Sequence, residues 1–283
     1  MIRSARWTPL GLVVALSCAA PSKPAPVIAA SLPPLASIAD FLAKGRFKVV
    51  SVLPAGRSEH DYEPSPGEID RARGAVLFAY THKDTDGWMV RIARGVTGAN
   101  AAVLSMADTP GAEGRDPHLW LDLDVVRAFV PRLAAELAEL DPAGAETYRT
   151  RAAALVDSLD AMDRDARTLL SPLNKVPFAI LHPAFETFAH RYGLNVVAVL
   201  ETHPEAEALP QDLGDAARRL KESGAKVIFV EPQLSARTAE ALAIDLGATT
   251  AIVDPLGGAG SPGRETYLDL LRWNVHQFAE NLK

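Results

Sequence analysis

The chain has 283 residues, 48% of them hydrophobic, with 29 Lys and Arg against 35 Asp and Glu for a formal net charge of −6. That length suits one large α/β domain or two modest ones, and the composition is ordinary for a globular protein. No Lys/Arg block supplies the basic face a nucleic-acid partner needs, which excludes that class, whereas an acidic surface is compatible with a cationic ligand.

Arg3 and Arg6 precede the apolar run "WTPLGLVVALS", and "CAAPSKPAP" follows it. A basic start, an apolar stretch and small residues behind it form an export signal. The run is far below the roughly 20 residues that span a bilayer. Cys18 is the sole cysteine. It is either lipidated after cleavage and tethered through the Pro-rich segment, or removed with the signal at a small-residue site; the tether favours the lipid anchor. In both cases the mature chain has no disulfide and must rely on a packed core.

The apolar runs "PVIAAS", "FKVVSVLP", "AVLFAY" and "AAVLSM" read as strands separated by the helical stretches "PLASIADFLAKG", "PGEIDRARG" and "DGWMVRIARGV". Strands alternating with helices imply parallel pairing through right-handed crossovers, an α/β fold. From Val125 to Leu170 the chain is helix-forming throughout, interrupted at Asp141-Pro142. Asp141 is a good N-cap with Pro142 at the first helical position. Tyr148, Ala152, Leu155, Leu159 and Met162 then fall on one face. A helix over residues 142–170 would reach about 40 Å and act as a strut between two halves; the alternative is a helical hairpin packed within one domain. The alternation resumes with strands "PFAIL", "LNVVAVL", "KVIFV" and "TTAIV" and ends in the helix "RETYLDLLRWNVHQFAENLK".

In open parallel sheets, ligands collect beyond the carboxyl ends of the strands. His182-Pro183, Glu231-Pro232 and Asp254-Pro255 each follow a strand run directly. "SEHDYEPSP" places His60 a short turn behind "VVSVLP", and "DPHLWLD" places His118 after a Gly-rich loop. His60, His118, His182 and Asp254 thus approach from four loops. Three imidazoles and a carboxylate make a tetrahedral set suited to zinc. Glu59 and Asp61 flank His60, and adjacent side chains of an extended segment point to opposite sides. They are therefore expected in solvent or behind a ligand, with Glu231 orienting a ligand imidazole. His182, Glu186 and His190 recur at helical spacing, but Pro183 opens that helix and no HExxH is present. His82, His203 and His276 read as surface positions.

"LPAGRSEHDYEPSPGEI", "DPHLWLD", "HPAFETFAHRYGL", "VIFVEPQLS" and "IVDPLG", in this order, closely resemble the zinc/manganese-binding solute-binding proteins of ABC importers, the ZnuA/TroA-like or cluster A-I family. The resemblance covers the chain from about Val27 to Lys283. It implies two α/β lobes with parallel sheets flanked by helices, joined by one long rigid backbone helix, with the metal in the interlobe cleft. It also implies that His60, His118, His182 and Asp254 are the four ligands. Manganese-selective members usually carry Glu at the third position, so His182 points to Zn2+, with Mn2+ as the alternative. Leu123 stands where the family has proline, and the His-rich loop of many zinc members is absent. The implied division is signal and tether at 1–26, N-terminal lobe at 27–140, linking helix at 141–171 and C-terminal lobe at 172–283.

The resulting expectation is an exported, monomeric, non-enzymatic capture protein that delivers metal to an ABC permease and, through it, to the ATPase subunit. Its contact with the membrane would be only the possible anchor at Cys18. Four protein ligands leave no open position for an activated water. The rival reading is an exported zinc hydrolase using the three His and a water, with Asp254, Glu231 or Glu186 as base. Zinc affinity is expected to fall as pH drops through about 6.5, since a ligating imidazole must be neutral.

Overall fold

The structure is a computed structural model that describes residues 25–97, 101–201 and 210–283. The expected export signal, Cys18 and His203 lie outside the described residues. In chain order the first half runs β1 (Val27–Ala30), α1 (Pro33–Ala43), β2 (Lys48–Ser51), α2 (Pro66–Arg71), β3 (Ala75–Tyr80), α3 (Lys83–Asp86), α4 (Trp88–Thr97) and β4 (Ala102–Ser105). Two helices follow, α5 (Leu123–Leu140) and α6 (Ala145–Leu170). The second half runs β5 (Pro177–Ile180), α7 (Glu186–Arg191), β6 (Asn195–Val199), α8 (Pro210–Ser223), β7 (Val227–Val230), α9 (Arg237–Leu246), β8 (Thr249–Ile252) and α10 (Tyr267–Asn281).

Each half folds into a four-stranded, wholly parallel sheet with the same winding, β2-β1-β3-β4 and β6-β5-β7-β8. The order reverses beside β1 and beside β5, so each sheet has a crevice at the carboxyl ends of its strands where the flanking connections diverge. The two crevices carry the loops that hold the site.

The long helix is α6, with 26 residues, or about 39 Å. Its buried face includes Tyr148, Ala152, Leu155, Leu159 and Met162, the stripe read from the sequence. It starts three residues later than expected because Pro142–Gly144 form a 3-10 turn first. Both ends are tied down. Near its start, Tyr148 donates to Asp141 at 2.6 Å, and Arg46 reaches both Asp141 and Tyr148. Near its end, Asp163 accepts two bonds from Arg191 at 2.8 Å, one from the Tyr192 hydroxyl at 3.0 Å and one from Arg127 at 3.2 Å. Burial works against ionisation of Asp163, but these donors outweigh it and hold its carboxyl well below the usual carboxylate range.

The two halves do not have separate cores. One apolar cluster runs from Ile28 and Phe78 through Phe129 and Leu159 to Phe178, Phe229 and Phe278. A second, smaller cluster lies under α8 and α9, around Leu181, Leu200, Leu220 and Ile228. Polar contacts add to this union. The Trp120 indole donates to the Pro255 carbonyl at 2.8 Å, and the Tyr267 hydroxyl donates to the Trp120 carbonyl at 2.6 Å. Gly258, with φ +105°, packs so closely that a Cβ there would meet Pro33 at 2.9 Å. A shared core of this kind permits tilting of the halves far more readily than wide opening.

Candidate metal centre

His60 lies on the connection after β2. That connection is anchored by Tyr62, whose hydroxyl donates to the Val52 carbonyl and whose ring meets Trp88 edge-on. The Trp88 indole donates to the Glu59 carbonyl, which fixes the turn immediately before His60. His118 precedes the 3-10 turn Leu119–Leu121 that leads into α5, where the Asp122 side chain caps the helix. His182 follows β5, with Pro183 opening a 3-10 turn that ends the strand.

The three imidazoles converge. Ring centroids lie 5.3 Å apart for His60 and His118, 4.9 Å for His60 and His182, and 4.8 Å for His118 and His182. One nitrogen from each lies within 4.8 Å of the others. His60 Nε2 and His118 Nε2 face each other at 3.3 Å. His182 Nε2 is buried and has no hydrogen-bond partner among the described residues. A buried ring nitrogen without a partner is costly unless a ligand completes it.

Two of the rings are backed by carboxylates. His118 Nδ1 lies 2.6 Å from Asp116 Oδ1, and His182 Nδ1 lies 3.3 Å from Glu231 Oε1. With the Nδ1 proton donated to a carboxyl oxygen, of Asp116 or of Glu231, each Nε2 keeps its lone pair free to bind a cation. Asp116 was not singled out from the sequence. Its position two residues before His118 is the available signal, because its carboxylate also accepts the His118 backbone N–H at 2.9 Å.

Glu59, expected in solvent or behind a ligand, is not in solvent. It is 3% exposed while Asp61 is exposed, and its Oε1 lies 3.8 Å from His60 Nε2. The segment is bent rather than extended, so alternation does not apply.

Asp254 follows β8 and is buried, but it lies outside the group formed by the three histidines. Its Oδ1 accepts from Gln233 Nε2 at 2.8 Å and from the backbone amides of Leu256 and Gly257 at 3.0 Å each. Its Oδ2 accepts from Arg264 at 2.9 Å. The decoy histidines stand apart. His82 caps α3, His276 is exposed on α10, and Glu186 and His190 are exposed on α7.

Burial sets the protonation states. Desolvation, reinforced by His118 and His182, lowers His60 to about 3, and desolvation lowers His182 to about 4. Both rings are therefore neutral well below the pH of about 6.5 expected from an ordinary imidazole. Desolvation raises Glu59 to about 7 and Glu231 to about 8. The pocket therefore disfavours cationic imidazoles and keeps a reserve of carboxyl protons that an incoming dication can displace. Asp116 shows the opposite balance. Burial works against its ionisation, but its bonds to His118 hold the carboxyl below its ordinary value.

Residues 28–281 match the family described as "Zinc-uptake complex component A periplasmic". The chain is 27% identical over 258 residues to the manganese-binding lipoprotein MntA of Halalkalibacterium halodurans, covering 88% of this chain and 85% of the relative. It is 24% identical over 271 residues to the high-affinity zinc uptake system protein ZnuA of Bacillus subtilis, covering 88% and 85%. The periplasmic zinc binding protein TroA from Treponema pallidum has the same fold, with a TM-score of 0.81 at 21% identity, covering 91% of this chain and 99% of that one. Matched over nearly all its described length, the chain belongs to the periplasmic zinc-uptake component A family.

Proposed function

We propose that the protein captures zinc outside the cytoplasm through His60, His118 and His182, with Asp254 as the fourth ligand, and delivers it to the permease of an ABC importer. Its family makes it an extracytoplasmic, metal-binding substrate-binding protein of such an importer. Among the described residues no helix is long and apolar enough to cross a membrane.

The observation that carries the zinc reading is the set of three converging imidazoles, two with carboxylates behind them and one with a buried, unpartnered Nε2. Imidazole suits zinc, whereas an oxygen-rich shell suits manganese. Asp254 would complete the shell by shifting toward the histidines, and Glu59 beside His60 is the competing carboxylate. Manganese is the second reading, favoured by the relative named for that metal. Zinc binds more tightly than manganese to almost any such site, so affinity in vitro does not decide between them.

The bound metal is cargo rather than a catalyst. A shell filled by protein ligands leaves no position for a hydrolytic water. The protein works as a monomer, passing metal to the permease while the ATPase drives import, and Cys18 supplies the lipid anchor. The test is the metal content of the protein purified from its own cell envelope without added metal. Near-stoichiometric zinc is the expected result; manganese in excess of zinc would move the assignment to the second reading.

A further inference from the structure

Asp254 is held in place twice over. Its backbone N–H donates to Asn274 Oδ1 at 2.8 Å, and Asn274 Nδ2 donates to its carbonyl at 2.7 Å. Gln233 and two backbone amides saturate Oδ1. Among the described residues Oδ2 has one donor, the guanidinium of Arg264. That leaves Oδ2 as the oxygen with lone-pair capacity to spare, already facing a full positive charge.

Arg264 is itself placed with care. It packs 4.4 Å over the Trp273 ring, and its side chain is 18% exposed. Its carbonyl accepts from Gly258 and its amide donates to Ser261, closing the glycine-rich segment 257–264. Gly257, at φ +55°, is required there, because a Cβ would lie 2.5 Å from the Arg264 carbonyl. Helix α10 begins only at Tyr267, under the Thr266 cap, so Arg264 stays in the loop and reaches back to Asp254.

We propose that Arg264 is a positioning residue that competes with the metal for Asp254 Oδ2, lowering zinc affinity and speeding release to the permease. The proposal rests on the reading of Asp254 as the fourth ligand. In the metal-free protein Arg264 supplies the cation that neutralises Asp254 and holds its carboxylate away from the three histidines. An arriving dication must take Oδ2 from the guanidinium, and a departing one finds the guanidinium ready to reclaim it. Removing the charge leaves Asp254 anchored by Gln233, the two amides and Asn274, so only the competitor is lost. The expected direction is therefore tighter binding, which a merely structural salt bridge would not produce.

The test is zinc affinity and release rate, measured on the full-length protein by competition with a fluorescent zinc chelator. Arg264→Gln should tighten binding by roughly tenfold, the scale on which partners of metal ligands act, and slow release by a similar factor. Arg264→Met, which keeps an aliphatic stem over Trp273, should behave alike and covers the case in which the Gln variant does not fold. Arg264→Lys keeps a cation and should stay near the parent. In an Asp254→Asn background the gain should vanish. Unchanged or weaker binding in the neutral variants, or a gain that survives in that background, overturns the proposal. If Asp254→Asn alone leaves zinc affinity intact, the ligand assignment itself fails, and the competition proposal fails with it.

Discussion

His60 Nε2 and His118 Nε2 face each other at 3.3 Å, contributed by loops 58 residues apart in the chain. The Asp116 contact places the proton of His118 on Nδ1, so its Nε2 presents a lone pair toward His60. His182 Nε2, buried and without a hydrogen-bond partner among the described residues, completes the group. Such a concentration of neutral donors is disfavoured in a dry pocket until a cation enters it.

His60→Ala, His118→Ala and His182→Ala should each sharply weaken zinc binding, because each removes a bond that the remaining groups cannot replace. Asp116→Asn and Glu231→Gln should cost less, roughly 10-fold to 100-fold, through loss of the partner that orients the ring. Calorimetric titration reads all five variants, and unchanged affinity in two of the three His variants would remove the site.

The pH behaviour follows from opposite shifts. For His60 and His182 the folded values, about 3 and about 4, lie below the unfolded one. Their contribution to the stability of the metal-free protein is present above about pH 6.5 and is lost as pH falls toward 4 and 3. For Glu59 and Glu231 the folded values are raised to about 7 and about 8. Their contribution is present below the ordinary carboxyl range and is lost as pH rises through 7 and 8. The metal-free melting temperature should therefore decline from pH 6.5 to 8.5. Zinc binding at pH 7 should release protons that come from the carboxyls. Calorimetry in two buffers of different ionisation enthalpy measures that release. It should disappear in a Glu59→Gln/Glu231→Gln variant; persistence there would mean that the imidazoles titrate near neutrality.

Asp163 ties α6 to α5 through Arg127 and to the second half through Arg191 and Tyr192. Asp163→Ala leaves the guanidinium groups of Arg127, Arg167 and Arg191 and a buried hydroxyl without their shared acceptor. The loss should be on the order of 2–3 kcal/mol, read as a lower denaturant midpoint of the metal-free protein. Zinc affinity of the folded variant should be unchanged, since Asp163 does not contact the site.

Much of the fold was legible because each strand is a short apolar run closed by a proline, a glycine or a polar residue. His182 is the clearest case, since Pro183 must end the strand and leave the imidazole at the sheet edge. The stripe from Tyr148 to Met162 was legible for the same kind of reason, as a period that only a helix satisfies. The sequence left Glu59 either in solvent or behind a ligand, because its burial depends on a bend set by Trp88 and Tyr62, which lie outside that segment's local pattern. The hold of Arg264 on Asp254 was hidden because "RETYLDLL" reads as helix from its first residue. The Thr266 cap, visible only in the folded chain, delays the helix to Tyr267 and keeps Arg264 in the loop, within reach of Asp254.

The shared core and the contacts from Trp120 to Pro255 and Tyr267 leave little room for a wide hinge. Small-angle scattering of the metal-free and zinc-loaded protein should give nearly the same radius of gyration. Hydrogen exchange should slow on zinc binding in the loops carrying His60, His118, His182 and Asp254, and hardly change within α6. A large compaction, or new protection centred on residues 148–162, would mean that α6 bends.

X-ray absorption at the zinc edge of protein loaded with one equivalent tests the ligand set most directly. Three imidazoles and one carboxylate oxygen are expected, at about 2.0–2.2 Å, with the oxygen replaced or lost in Asp254→Asn and one imidazole lost in His182→Ala. A zinc shell with fewer than three imidazoles, or one that is the same in the parent and His182→Ala, would contradict it.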